Sequence, residues 1–191
     1  GTAYGLVSGY AGGKVDAAMM RGVEILYAVP RLIILLIAIN AFDARMKGWL
    51  AAFGMPELVD YSRIVILILS LGLIEWLTMA RIVRGQVLAL KSRQFVLAAQ
   101  SLGQSHWKIL VRHLLPNLAG VVIVYLTLTV PAVILDESFL SFLGLGIQAP
   151  QASWGSLLAD GAQALNPVRS YWWLLAFPAV TMSVTLLALN F

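Results

Sequence analysis

Residues 118–135 read LAGVVIVYLTLTVPAVIL, a run without a single charge. A helix of that length is about 27 Å long at ~1.5 Å per residue, close to the hydrocarbon thickness of a bilayer, ~30 Å. Runs of the same kind cover residues 23–42, 64–80 and 171–191. Glu24 and Arg31 fall in the first of these, yet LIILLIAINAF after Arg31 is too apolar for a surface helix. The totals agree, because 60% of the 191 residues are hydrophobic and only 12% are charged, against about 25% in soluble domains. The sequence therefore predicts an all-α, polytopic transmembrane helical bundle with four full spans. The opening GTAYGLVSGYAGG is too short to span, and it reads as the end of an earlier helix, so the chain is expected to be cut at both ends.

Orientation follows from where the charge sits. Residues 81–112 carry Arg81, Arg84, Lys91, Arg93, Lys108 and Arg112 and no acidic residue, which predicts a cytoplasmic segment by the positive-inside rule. Residues 43–63 mix three basic with three acidic residues, and residues 136–170 hold Asp136, Glu137 and Asp160 against Arg169 alone. Both are expected outside. Tyr171, Trp172 and Trp173 begin the last span, where an aromatic belt meets the outer interface. Pro30, Pro131 and Pro178 fall inside three of the spans, and each frees a carbonyl and bends its helix.

Several chemistries are excluded by pattern. GYAGGK lacks the first glycine of a phosphate loop, since Ser8 stands there, and Val15 follows Lys14 where a magnesium-binding hydroxyl is required. Neither G-x-S-x-G nor H-E-x-x-H occurs. Asp136 and Glu137 are adjacent, so on a helix they point about 100° apart and cannot act on one atom together. With no cysteine, disulfides and thiolate metal sites are impossible. The expectation is a non-catalytic chain with no catalytic, cofactor or metal site of its own.

Ahead of the opening run stands FVLAAQSLGQSHWKILVRHLLPN, residues 95–117. Helix formers run to Leu102, Gly103 interrupts them, and a second helical stretch rises to Pro116. Ala98 and Ala99 make a narrow surface, with Phe95, Val96 and Leu102 as apolar knobs for a groove on another protein. Lying flat among lipid headgroups suits the same pattern.

Ala98, Ala99, Gly103, Leu115 and Pro116 together resemble the EAA loop of bacterial ABC-type import permeases. GYAGGKVD, ARIVRGQVLALK, RHLLPN, ESFLSFLGLG and SWGSLLADG, in that order, resemble one branch, the second membrane subunit of dipeptide and oligopeptide importers. Two positions depart from the pattern: Leu97 replaces its glutamate, and His113 its isoleucine.

The resemblance implies a type I ABC importer fold over residues 1–191, with residues 92–117 as a cytoplasmic coupling segment that docks into an ATPase. It implies a bacterial plasma-membrane protein that lines a path for peptides or similar solutes. Its expected partners are a sister permease in a heterodimer, two cytoplasmic ATP-binding subunits that carry the ATP and magnesium, and an extracytoplasmic solute-binding protein, with no nucleic acid. A stand-alone ion-coupled carrier or channel is the competing expectation.

Arg31 and Glu75 are the ionisable groups deep in spans, and each costs roughly 2.5–3.5 kcal/mol at a helix centre. Helix rise places Arg31 about 18 Å from the cytoplasmic edge and Glu75 about 13–14 Å from the outer one, in a core of about 30 Å. Long side chains bridge that gap, so the two are expected to pair or to face a water-filled path.

Overall fold

The computed structural model describes residues 1–147, 151–165 and 170–190. Residues 148–150 and 166–169 of the predicted outer loop, and Phe191 at the end of the last predicted span, lie outside the described residues. Nine α-helices occur among the described residues: α1 (Thr2–Ala11), α2 (Gly13–Tyr27), α3 (Arg31–Ala52), α4 (Ser62–Leu90), α5 (Gln94–Ser101), α6 (His106–Lys108), α7 (Leu115–Phe142), α8 (Trp154–Gln163) and α9 (Trp172–Asn190). A 3-10 helix, Pro56–Tyr61, precedes α4. A π-helical turn, Ile109–Leu114, joins α6 to α7, so that His106–Phe142 runs as one helix of 37 residues.

Three of these helices are long and apolar enough to cross a membrane: Ser62–Leu90, His106–Phe142 and Trp172–Asn190. On α7 and α9 most apolar side chains point outward, among them Ile123, Val124, Leu128, Phe177, Val180 and Leu187. A surface of this kind is stable against lipid tails or another apolar helix and costly against water.

The first predicted span is broken rather than straight, and Gly13–Tyr27 with Arg31–Ala52 is together long and apolar enough to make a fourth span. Residues 23–42 do not form one rod; α2 ends at Tyr27, α3 begins at Arg31, and the two are bent by 75°. Pro30 has no N–H to give, and its ring clashes with the carbonyl four residues back, so the ladder stops here. Val29 N–H turns instead to the Leu26 carbonyl at 3.4 Å. Pro131 and Pro178, by contrast, stay inside α7 and α9. Near Pro178 the Thr181 hydroxyl lies 3.0 Å from the Phe177 and Pro178 carbonyls and donates to them. The predicted outer loops are shorter than expected, since α3 continues to Ala52, α7 continues to Phe142, and α8 lies within residues 136–170.

The chain forms two compact units, Gly1–Arg31 with Gly72–Leu126, and Leu32–Leu71 with Thr127–Phe191. In the first, Leu6, Met79, Val83, Val87, Val96, Ala99, Ile109, Leu110, Leu114 and Leu118 form a common core. Helix α1 approaches α4 through glycines spaced four apart. A Cβ on Gly5 would meet the Arg84 amide nitrogen and Val83 Cβ at 3.0 Å, and one on Gly9 would meet the Arg84 carbonyl at 2.9 Å. Small residues at this spacing let two backbones touch, which is how helices associate where lipid removes the usual apolar driving force. In the second unit α8 packs along α9. Ser153 caps α8 reciprocally with Ser156, and Gly161 lies against the backbone of Leu174.

Candidate functional site

The elbow between α4 and α7 is built around one left-handed residue. Helix α5 closes with the Leu102 N–H on the Ala98 carbonyl at 3.0 Å and the Gln104 N–H on the Ala99 carbonyl at 3.1 Å. Gly103 makes that closure at φ +70°, and nothing lies within 4 Å of where its Cβ would be. Backbone conformation therefore requires glycine at this turn, and crowding does not. Ser105 then caps α6, its Oγ accepting from the Lys108 N–H.

Helix α5 is two-faced. Val96 and Ala99, three apart, are buried against Ile109, Leu110 and Leu114. Leu97, Ala98 and Phe95 are exposed, Leu102 is 80% exposed, and Trp107 is 71% exposed. Among the residues that the sequence assigns to docking, Ala98, Gly103, Leu115 and Pro116 thus lie outward. Ala99 does not: it turns inward and, with Val96, holds the elbow from behind. The α-helical period separates it from Ala98 by about 100°. Trp107, which the sequence reading left out of the contact surface, stands outward in its place.

Two further details tie the elbow to the long helix. His113 Nε2 lies 2.9 Å from Gln104 Oε1, so the residue that departs from the family pattern bridges the turn. In the π-helical turn Leu115 N–H donates to the Leu110 carbonyl, five residues back, and Pro116, next in line, has no N–H to give. Asn117 Nδ2 donates to the His113 carbonyl at 2.6 Å.

Arg31 and Glu75 are brought together within the first unit. Arg31 Nη2 donates to Glu75 Oε1, and the Tyr125 hydroxyl donates to Glu75 Oε2 at 3.0 Å. The arginine side chain is 35% exposed and the carboxylate 17%. The pair stands at the first residue of α3, directly after the break at Pro30.

A third cluster was missed in the sequence. Gly12 and Gly13, at φ +67° and +53°, turn the chain from α1 into α2 so tightly that Asp16 returns beside Ser8. Asp16 is 6% exposed. Arg84 of α4 grips it with two bonds, Nε to Oδ1 at 2.6 Å and Nη2 to Oδ2 at 2.5 Å, and Ser8 Oγ donates to Oδ1 at 2.5 Å. Lys91 Nζ donates to the Gly9 carbonyl at 3.1 Å. The signal was present, because a glycine pair followed by an aspartate lies in GYAGGKVD and the arginine in ARIVRGQVLALK. Nothing in either string says that they meet.

The full sequence, residues 1–191, matches the family described as binding-protein-dependent transport system inner membrane component. The chain belongs to that family. This inner membrane component is 43% identical over its whole length to the oligopeptide transport system permease protein OppC of Haemophilus influenzae, of which it covers 55%. It is 44% identical over its whole length to the dipeptide transport system permease protein DppC of Bacillus subtilis, covering 53% of it. It is 46% identical over 94% of its length to OppC of Escherichia coli, again covering 53%. The chain thus spans about half the length of these relatives. It is a membrane-embedded, multi-pass member of that family.

Proposed function

We propose that this chain is part of a permease subunit of an ATP-driven importer that moves dipeptides, oligopeptides or similar small solutes across the bacterial plasma membrane. The observation that carries the reading is the elbow, a rigid turn with Leu97, Ala98, Leu102 and Trp107 outward and a buried face that fixes them to the core. An exposed apolar ridge on a cytoplasmic basic segment suits the groove of a soluble partner. The relatives named above are oligopeptide and dipeptide permeases, which supports the substrate class.

In this reading the chain supplies levers and a lined path and performs no catalysis. ATP and magnesium belong to two cytoplasmic partner subunits, a sister permease completes the path, and an extracytoplasmic binding protein delivers the solute. Segment 81–112 faces the cytoplasm, and the connections around residues 53–61 and 143–171 face outward. Closure of the ATP-binding pair displaces the ridge. Because the elbow continues without a break into His106–Phe142, the displacement enters the membrane along that helix.

The test is co-purification of the complete protein in mild detergent. It should retain an ATP-hydrolysing subunit, and Leu102→Asp with Trp107→Asp should lower that retention at least tenfold. Transport by the protein alone in liposomes under an ion gradient, with no ATPase retained, would overturn the proposal in favour of an ion-coupled carrier.

A further inference from the structure

The long helix is one route out of the elbow; the first unit contains a second. Gln94 opens α5 just after α4, the last turns of α4 carry Val83, Arg84 and Val87, and Lys91 follows its end. Val83 and Val87 share the core with Val96 and Ala99 of the elbow, so this stretch of α4 and the elbow are one packed body. Helices α1 and α2 are joined to it by polar contacts far apart in sequence. Tyr10 OH stands 2.8 Å from His106 Nδ1, Lys91 holds the Gly9 carbonyl, and Arg84 holds Asp16. Tyr4 OH donates to the Met19 carbonyl at 2.8 Å, which ties α1 to α2.

Apolar packing resists separation but allows sliding, whereas a two-bond guanidinium–carboxylate fork fixes distance and orientation together. The buried Asp16 carboxylate has Ser8 and Arg84 as its hydrogen-bond donors, from α1 and α4. Three helices are therefore pinned at one point. Helix α2 runs from that point to its end at Tyr27, next to the Pro30 break and the Arg31–Glu75 pair.

Building on the docking reading above, we propose that Asp16 and Arg84 are positioning residues for transport. Their clasp makes α1 and α2 travel with the elbow, so that a stroke received at α5 also arrives at the break between α2 and α3. Packing at Gly5 and Gly9 keeps α1 beside α4, and the clasp prevents it from slipping along α4.

The experiment uses the complete importer in proteoliposomes, with solute uptake counted per ATP hydrolysed. Four variants are compared: Asp16→Asn, Arg84→Gln, the two combined, and the reversed pair Asp16→Arg with Arg84→Asp. The combined neutral variant leaves no orphan charge and should assemble, yet its uptake per ATP should fall at least fivefold while hydrolysis continues. The reversed pair should recover half or more of that loss.

A second readout uses spin labels in a complete importer from which any cysteine outside these residues, which have none, has been replaced. Spin labels at Ala18→Cys and Ser92→Cys should keep one distance with and without nucleotide, and the distribution should broaden with nucleotide in the neutral pair. An unchanged uptake per ATP in the assembled variants, or a failure of every variant to assemble, overturns the proposal and leaves the pair a role in folding alone. If the unsubstituted complex shows no ATP-dependent uptake, the docking reading itself falls and the clasp with it.

Discussion

The two units of this chain are held together by different means. In the first, polar contacts join residues distant in sequence: Asp16 with Arg84, Arg31 with Glu75, Tyr10 with His106. In the second, several polar contacts are between neighbours, and one cluster, Asp43 with Ser62 and Arg63, joins α3 to α4. Ser141 donates to Glu137 four residues back, Ser153 and Ser156 cap one helix, and Asp43 meets Lys47 one turn away. Its helices also meet backbone to backbone, as α1 and α4 do in the first unit, with Gly155 against Ser138 and Gly161 against Leu174. Burying a charge is costly unless its partner is fixed, so a region that keeps such pairs gives up stability for register. The difference teaches that the first unit fixes the relative placement of α1, α2 and α4 through a buried two-bond fork, whereas in the second the carboxylate that joins two helices, Asp43, meets Arg63 only at 3.7 Å.

The largest effect that could break this comparison lies at Arg84. Arg84→Ala leaves the Asp16 carboxylate buried with Ser8 as its hydrogen-bond donor and only the Lys91 charge, which makes no bond to it, nearby. A loss of about 3–5 kcal/mol is expected for one partner of a buried pair. It should appear as a large fall in the thermal midpoint or in folded yield from detergent. A midpoint within a degree of the unsubstituted protein would mean that the charge is solvated in the membrane-embedded protein and that the clasp fixes nothing.

The glycine contacts sharpen the comparison, since both units have them. Gly5→Ala pushes a methyl group towards Ala80 and Arg84 backbone, and Gly155→Ala does the same at Ser138. Backbone cannot rotate away as a side chain can, so each should cost about 1–3 kcal/mol, by the overpacking rule. Gly85→Ala is the control, because nothing lies within 4 Å of its Cβ position in the middle of α4. There the gain in helix propensity should stabilise by up to ~1 kcal/mol. Equal losses at all three would show that the membrane-embedded helices pack differently around α4.

What could be read from the sequence, and what could not, follows the same division. Long apolar runs identify α4, α7 and α9, because a bilayer imposes length and apolarity on each helix separately. The elbow was legible too, since Gly103 interrupts helix formers at a position that needs a left-handed residue. The inward turn of Ala99 was not, because the sequence marks a narrow surface without saying which of two adjacent alanines the core takes. Pro30 announces a bend, but Pro131 and Pro178 carry the same announcement and stay within their helices. A proline's local cost is fixed, while the neighbours that absorb it are not. The meeting of Arg31 with Glu75 was foreseeable from depth along two helices. The meeting of Asp16 with Arg84 was not, because it depends on the tight Gly12–Gly13 turn and on α1 lying close against α4.

The smallest expected effect tests the second unit. Lys47 Nζ donates to Asp43 Oδ2 at 2.9 Å, one turn along α3, and the lysine side chain is 44% exposed. Asp43 keeps a hydrogen bond from Ser62 Oγ at 3.0 Å and the Arg63 guanidinium at 3.7 Å if the lysine is removed. No charge is orphaned by Lys47→Ala, and an i,i+4 helix pair whose lysine is exposed is worth about 0.3–0.5 kcal/mol. The thermal midpoint should therefore move by no more than a degree or two, and the shift should vanish in high salt, where exposed pairs are screened. Asp43→Ala should cost more than Lys47→Ala, because it leaves Arg63 without the carboxylate beside it. If Lys47→Ala instead matched Arg84→Ala and resisted salt, the Asp43 cluster would hold its helices as firmly as the fork holds those of the first unit. The contrast drawn from their polar contacts would then have to be abandoned.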